Sequence, residues 1–229
     1  MAAFLLLVRA LAAWLADTLA PPACAACDAR LDRRAVFCAS CALAVVPAEA
    51  DPAPGGTLIL AFAVFGGPVA LALRRFKYAG RADLGRPLGH LARHAVRAAG
   101  LVADVVVPVP LHPARLAERG YNQAALLGAE VARELGAPLE ARGLGRTRNT
   151  AHQARLDRAG RLTNVTGAFR VRAPARVRGL RVVLVDDVAT TGATLAACSA
   201  ALLAAGALSV TALVVARTEQ GEVSGEEEA

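Results

Sequence analysis

At 229 residues with 55% hydrophobic content, the chain is long enough to bury one medium core and too apolar to be disordered throughout. Its net charge of +7 permits an anionic partner. The bases are nearly all Arg, with Lys77 the only lysine, so GC-rich coding or plain solubility explains the charge as well as a polyanion does.

Residues 2–19 read as an amphipathic helix packed on the body of the protein. Arg9 and Asp17 interrupt its apolar run, and no stretch reaches the ~18 uncharged residues of a membrane span. No membrane insertion is expected. The segment around Cys24 faintly resembles a lipoprotein cleavage site, but Pro21 and Pro22 fit that poorly, and a cytoplasmic location is expected.

Cys24-x2-Cys27 and Cys38-x2-Cys41 form two knuckles ten residues apart. Two turns presenting two sulfurs each can wrap one tetrahedral Zn²⁺, and four thiolates leave no open position, so the metal would be structural. A redox-active dithiol is the rival reading. Cys198, on an apolar helix, reads as core packing. Residues 1–46 thus make an N-terminal helix and a four-cysteine zinc ribbon, and residues 47–56, rich in Pro, Ala and acids, a linker.

The expected second domain spans residues 57–218. Residues 57–65 form a strand, Pro68 opens a helix towards Tyr78, and 83–99 form another, where His90 and His94 share a solvated face. Strands at 102–109, 181–185 and 209–216 alternate with helices at 122–135 and 194–205. Short apolar strands alternating with helices predict an α/β fold, a mainly parallel sheet with flanking helices. Residues 219–229 form an acidic tail expected to fray.

The chemistry concentrates after the 181–185 strand. Asp186 and Asp187 arrive at its C-terminal edge, where open α/β sheets bind ligands. Val188, Ala189, Thr190, Thr191, Gly192, Ala193 and Thr194 follow, a small hydroxylated loop entering a helix. Such a loop aims N–H groups and hydroxyls at one anion beside the helix dipole. The acids would repel a phosphate, but suit a sugar's vicinal hydroxyls and a ligand-borne Mg²⁺. The combination reads as a site for a ribose 5′-phosphate. Simple helix capping is the bland alternative, and needs one such residue where this stretch has five.

That segment resembles the phosphoribosyl pyrophosphate (PRPP) signature of type I phosphoribosyltransferases. The resemblance implies that Asp186 and Asp187 bind the ribose hydroxyls and Thr190 to Thr194 the 5′-phosphate. Several members that use 6-oxopurines carry an Asp where Thr190 stands, so such a substrate is not expected. The motifs Val107-Pro108-Val109-Pro110-Leu111-His112, Arg115, Arg119-Gly120-Tyr121-Asn122-Gln123, Thr150-x2-Gln153-x2-Leu156 and Phe76-Lys77-Tyr78 resemble the ComF family of phosphoribosyltransferase-like proteins. So do the paired cysteines and Arg161-x2-Asn164-Val165-x-Gly167-Ala168-Phe169, although residues 157–160 depart from the family pattern. The resemblance implies the type I phosphoribosyltransferase fold, Lys77 among the PRPP contacts, and residues 150–169 as a covering loop. Arg155 and Arg161 in that loop, with Arg148 just before it, would stabilise departing pyrophosphate. The loop after Pro110, with Arg115 and Arg119, is its expected permanent seat, and Arg119 and Arg161 join the two acids as catalytic candidates. His112 and His152 are weaker candidates for phosphate contacts.

Two functions follow. One is a phosphoribosyltransferase using PRPP with Mg²⁺. The other, implied by the family's association with natural transformation, is a single-stranded DNA-binding competence factor with a non-catalytic phosphoribosyl site, whose partners include DNA-uptake proteins. The Arg-dense stretch 142–181 suits the second, with Tyr121 and Phe169 as stacking platforms. A pure scaffold is the blandest option.

Overall fold

The computed structural model describes residues 22–31, 35–53, 55–147 and 167–218. The expected helix at 2–19, the tail at 219–229, residues 150–166 of the covering loop, and with them Arg148, His152, Arg155 and Arg161, lie outside these.

The main sheet has the order β1-β2-β7-β6-β3, from β1 (Asp51–Pro52), β2 (Leu58–Val64), β3 (Val105–Pro108), β6 (Arg181–Ala189) and β7 (Ser209–Arg217). All pairings are parallel except β1 with β2. Val105, Val106 and Val107 of β3 and Val182 to Val185 of β6 are buried, because helices cover both faces. On one face lie α2 (Gly67–Tyr78), α3 (Gly85–Ala98) and α5 (Gln123–Leu135), packed with Val106, Val183 and Val185. On the other, α6 (Ala193–Ala204) packs through Leu195, Cys198 and Leu202 on Val182 and Leu184. Cys198 is core, as expected.

Several elements differ from the sequence expectation. The 102–109 strand shortens to β3, with Val102 60% exposed. The last expected strand runs one residue further, and β6 four, because register with β7 continues through Asp186↔Val214 and Val188↔Ala216. Val188 and Ala189 are therefore strand residues, not loop. A 3-10 turn, Ala82–Leu84, precedes α3. The 47–56 segment is more than a linker: β1 pairs with β2, and Ala53 is buried. A short helix, α4 (Pro113–Arg119), stands where a loop was expected; His112 caps it, accepting from the Ala114 N–H at 3.3 Å. The Arg-dense stretch contains an antiparallel strand pair, β4 (Leu144–Arg146) with β5 (Phe169–Val171).

The cysteine segment, with its five-residue helix α1 (Ala39–Leu43), is not isolated from the body. Cys24, Ala25, Ala26, Leu31 and Phe37 join the apolar cluster of Leu73, Phe76 and Leu91. Asp28, in the left-handed region at φ 60°, pairs with Arg75 at 2.8 Å. Among the described residues no helix is long and apolar enough to cross a membrane.

Helices α3 and α5 cross at Gly89, where an added Cβ would lie 2.5 Å from Cγ of Glu130. Glu130 cannot swing aside freely, since Arg133 holds it at 2.6 Å and Arg93 at 3.5 Å. Gly89→Ala is expected to destabilise: overpacking costs about 1–3 kcal/mol, against about 1 kcal/mol of gained helix propensity. A melting temperature lower than the parent's is the expected result, and an unchanged or higher one would show that the crossing relaxes.

Candidate active site

Strands β3 and β6 are neighbours, yet their chains depart to opposite faces, β3 towards α5 and β6 into α6. That divergence opens a crevice at the strands' C-terminal ends, the position where such sheets bind ligands. A cleft of about 190 Å³ occupies it. Asp186, Asp187, Val188, Ala189, Thr190, Thr191, Gly192, Ala193, Thr194, Arg115, Arg119 and Lys77 all line this cleft. The catalytic and PRPP-binding candidates expected from the sequence are thus in one place, except Arg161, which lies outside the described residues.

Because β6 continues through the acids, they leave it on opposite faces. Asp187 turns to the α2 side, where Lys77 meets its Oδ1 at 3.0 Å. Asp186 follows Leu184 towards α6, its Oδ1 accepting from the Asp187 N–H at 2.9 Å. Both nevertheless reach the cleft at the sheet edge.

The electrostatics are uneven. Burial, then the charge of Asp187, pushes the Asp186 carboxyl up to about 7, against Lys77, the Asp187 N–H and Arg146. Burial lowers Lys77, but Asp187 and Asp186 outweigh it and hold the ammonium above its ordinary range. Since an unfolded Asp titrates near ~3.9, ionised Asp186 opposes folding. That cost is absent below about pH 4, grows as pH rises, and is complete above about 7. Asp186→Asn should therefore raise the melting temperature of the ligand-free protein at pH 8 and leave it nearly unchanged near pH 4. Equal shifts at both pH values would contradict this account.

Past the acids, Thr190 and Thr191 turn the chain into α6. Gly192, at φ 71°, adopts the left-handed conformation that favours glycine. Thr191 Oγ1 accepts weakly from the Ala193 N–H at 3.4 Å, but Gly192 is the N-cap and no side chain caps the helix. The turn still opens onto the cleft with the positive end of a twelve-residue helix behind it.

The opposite wall carries Val109, Pro110, Leu111 and the start of α5. Asn122 caps that helix, accepting from the Ala124 N–H at 3.0 Å, and donates to the Val109 carbonyl at 3.1 Å. Gln123, only 2% exposed, also lines the cleft, and its Nε2 has no hydrogen-bond partner among the described residues. A buried amide left so costs about 1–3 kcal/mol, a cost that a ligand oxygen would relieve.

Sequence reasoning missed Arg146 and Tyr78 as lining residues. Arg146 projects from β4, 5.5 Å from the Phe169 ring; burial and the nearby Arg115 pull its guanidinium below the usual range. Three residues are too few for any periodicity to mark Arg146, which joins the site only through the fold. The expected stacking platforms are corrected: Phe169 is buried, and Tyr121 is half-buried, donating its hydroxyl to the Phe76 carbonyl. His112 is a helix cap outside the lining, while His90 and His94 stay on an exposed face.

The second site is the cysteine cluster. The Sγ atoms of Cys24, Cys27, Cys38 and Cys41 all lie within 4.8 Å of one another, with Cys27 and Cys38 at 3.7 Å. Sulfurs at ~2.3 Å around a tetrahedral Zn²⁺ would be about 3.8 Å apart. The four cysteines are free thiols and together can hold a metal ion.

Residues 121–227 match the phosphoribosyl transferase domain. The chain is 32% identical over 209 residues to the DNA utilization protein YhgH of Salmonella typhimurium, covering 85% of this chain and 90% of that protein. It is equally 32% identical over 184 residues to competence protein F of Haemophilus influenzae, covering 76% of this chain and 75% of that one. Among solved structures, the allosteric regulatory enzyme of purine biosynthesis is similar at a TM-score of 0.44 and 23% identity, over 62% of this chain and 29% of its own.

Proposed function

The chain belongs to the ComF family, that of the DNA utilization and competence proteins it matches, and we propose that it binds PRPP with Mg²⁺ and transfers its phosphoribosyl group. The observation that carries this reading is the convergence of two acids, a hydroxyl-rich turn and four cationic side chains on one cleft. The 5′-phosphate would sit on Thr190 to Thr194, drawn by N–H groups and the α6 dipole. Asp186 and Asp187 would accept hydrogen bonds from the ribose hydroxyls, with Lys77 fixing Asp187. Mg²⁺, which prefers one or two carboxylates plus substrate phosphates, fits this oxygen set and would neutralise part of the pyrophosphate charge. Arg115, Arg119 and Gln123, on the β3 side, would seat the pyrophosphate.

In the reaction, the acceptor's lone pair forms a bond to C1 of the ribose as the C1–O bond to pyrophosphate breaks. The electron pair leaves on the pyrophosphate oxygen, and the acceptor's proton passes to solvent. Arg115, Arg119 and Arg146 are placed to offset the charge that develops on the leaving group, and Arg161 would join them from the covering loop. In the cysteine cluster the proposed ion is a structural Zn²⁺, the four thiolates of residues 24–41 forming a ribbon built onto the 57–218 domain. Reduced thiolates suit a cytoplasmic setting.

The relatives' names favour a second reading, in which the chain handles single-stranded DNA and DNA-uptake proteins, with the pocket kept as a sensor. The sugar separates the readings. Two carboxylates suit a 2′,3′-diol, and losing one charge-assisted hydrogen bond costs about 1.5–3 kcal/mol. Ribose 5-phosphate should therefore bind at least about tenfold more tightly than 2-deoxyribose 5-phosphate. Equal affinities would contradict diol recognition. A separate DNA surface would instead show affinity that falls steeply with salt and survives loss of both acids.

A further inference from the structure

We propose that the N-terminal segment, residues 2–19, docks as a helix in the apolar groove between the cysteine ribbon and the wall formed by β2 and α3, and so clamps the two together. The inference stands apart from the phosphoribosyl reading, since the groove shares no lining residue with the cleft.

The groove encloses about 1060 Å³, more than the ~300–1,000 Å³ of small-molecule sites. Leu31, Val36, Phe37 and Val45 on the ribbon side face Phe62 of β2 and Leu91 of α3. Its basic members are Arg30 and His94, both exposed, and no acid lines it among the described residues. The His94 ring stands edge-on to Phe62 at 5.8 Å. Such a lining gives a small polar ligand little to orient on, whereas the apolar face of a helix needs no polar partner. On α3, Leu91, His94, Ala95 and Ala98 line the groove at the i, i+3, i+4, i+7 spacing of a single helix face. A different face of α3, at Gly89, meets α5. Two alanines on the open face allow a second helix to approach closely.

The sequence supplies an occupant of matching pattern. In a helix, Phe4, Leu7, Val8, Leu11, Trp14 and Leu15 fall on one face, and Arg9 and Asp17 on the other. At 1.5 Å per residue that stripe would run about 17 Å, enough to cover the roughly 10 Å of α3 between Leu91 and Ala98 and continue over the ribbon. Alanines on α3 and large side chains on the segment would interdigitate. The tether is short. The carbonyl of Pro22, three residues after Leu19, accepts from the Leu31 N–H at 2.8 Å, and Leu31 lines the groove. The segment thus joins the body at the rim of the groove. A tether so short gives an effective concentration on the order of millimolar, which favours it over a separate chain.

Trp14 is the one tryptophan of the chain, so its fluorescence reports the stripe directly. The test measures acrylamide quenching in the full chain, for the parent and four variants. Leu11→Asp alters the segment, Ala42→Glu and Ala98→Glu alter exposed positions of the groove, and Leu71→Glu alters an exposed leucine outside it. The parent should be quenched at least about fivefold less than N-acetyltryptophanamide, independently of protein concentration, as a covered indole is. Leu11→Asp and the two groove variants should each come within about twofold of the free indole, because each buries a charge in the apolar contact. Leu71→Glu should match the parent. Hydrogen exchange over residues 35–48 should quicken in Leu11→Asp, a change that leaves the groove itself intact. A parent quenched as freely as N-acetyltryptophanamide overturns the docking and leaves the groove to a separate partner. Shielding lost on dilution assigns the groove to a second copy and overturns it equally. Shielding that survives both groove variants, or unchanged exchange over residues 35–48 in Leu11→Asp, places the segment elsewhere.

Discussion

Replacing Asp186 and Asp187 together by Asn is expected to weaken binding of PRPP with Mg²⁺ by at least about 100-fold, since each acid contributes a charge-assisted contact of about 1.5–3 kcal/mol. The change is nearly isosteric. Asn keeps one acceptor per side chain but loses the charge that holds the metal-bearing ligand and strengthens the hydroxyl contacts. The fold should tolerate it from the Asp186 side, where ionisation opposes folding at neutral pH. On the other side, the half-buried Lys77 ammonium loses the partner it meets at 3.0 Å, which is costly. The pair of single variants therefore separates the terms: Asp186→Asn should bind weakly and melt higher, and Asp187→Asn should bind weakly and melt lower. Calorimetry and melting curves read both. A double variant that binds within about threefold of the parent would remove the acids from the site.

Loss of the cysteine cluster is expected to have the largest effect on stability. Structural Zn²⁺ sites of four thiolates contribute folding energy directly, with apparent binding energies of about 10–16 kcal/mol in isolated fingers at neutral pH. Here the cluster is joined to the body through Cys24, Leu31 and Phe37, which share a core with Phe76 and Leu91. Unravelling the knuckles therefore exposes apolar surface on α2 and α3 as well. Cys38→Ser, or prolonged chelation of the parent, should release one Zn²⁺ per chain and lower the melting temperature by about 10 °C or more, the scale of a loss of several kcal/mol in a domain of this size. Because α2 also carries Lys77 and Tyr78, ligand affinity should fall with it. Elemental analysis finding no zinc in the purified parent, or a Cys38→Ser variant as stable as the parent, would contradict the assignment.

The parallel strands were legible because a strand covered on both faces reads as an unbroken apolar run, as Val105 to Val107 and Val182 to Val185 do. The end of β6 was not, because its hydrogen bonding follows β7 rather than its own hydrophobicity, and so runs on through Asp186 and Asp187. Tertiary pairing likewise made strands of Asp51–Pro52 and Leu144–Arg146, which carry too few residues for any periodicity to show. The seven residues of α4 were hidden behind Pro113, which reads as a turn as readily as a first helical residue. At the site, the 186–194 motif was complete in the sequence since its parts are contiguous. Arg146 and Tyr78 join it only through the fold. Phe169 is no open stacking platform, because strand alternation turns it inward and Arg170 outward.

Titration calorimetry of the full chain with PRPP in the presence of Mg²⁺ tests the central claim most directly. Saturable binding of one PRPP per chain, lost when Mg²⁺ is removed, is the predicted result. A flat titration at millimolar PRPP would contradict it.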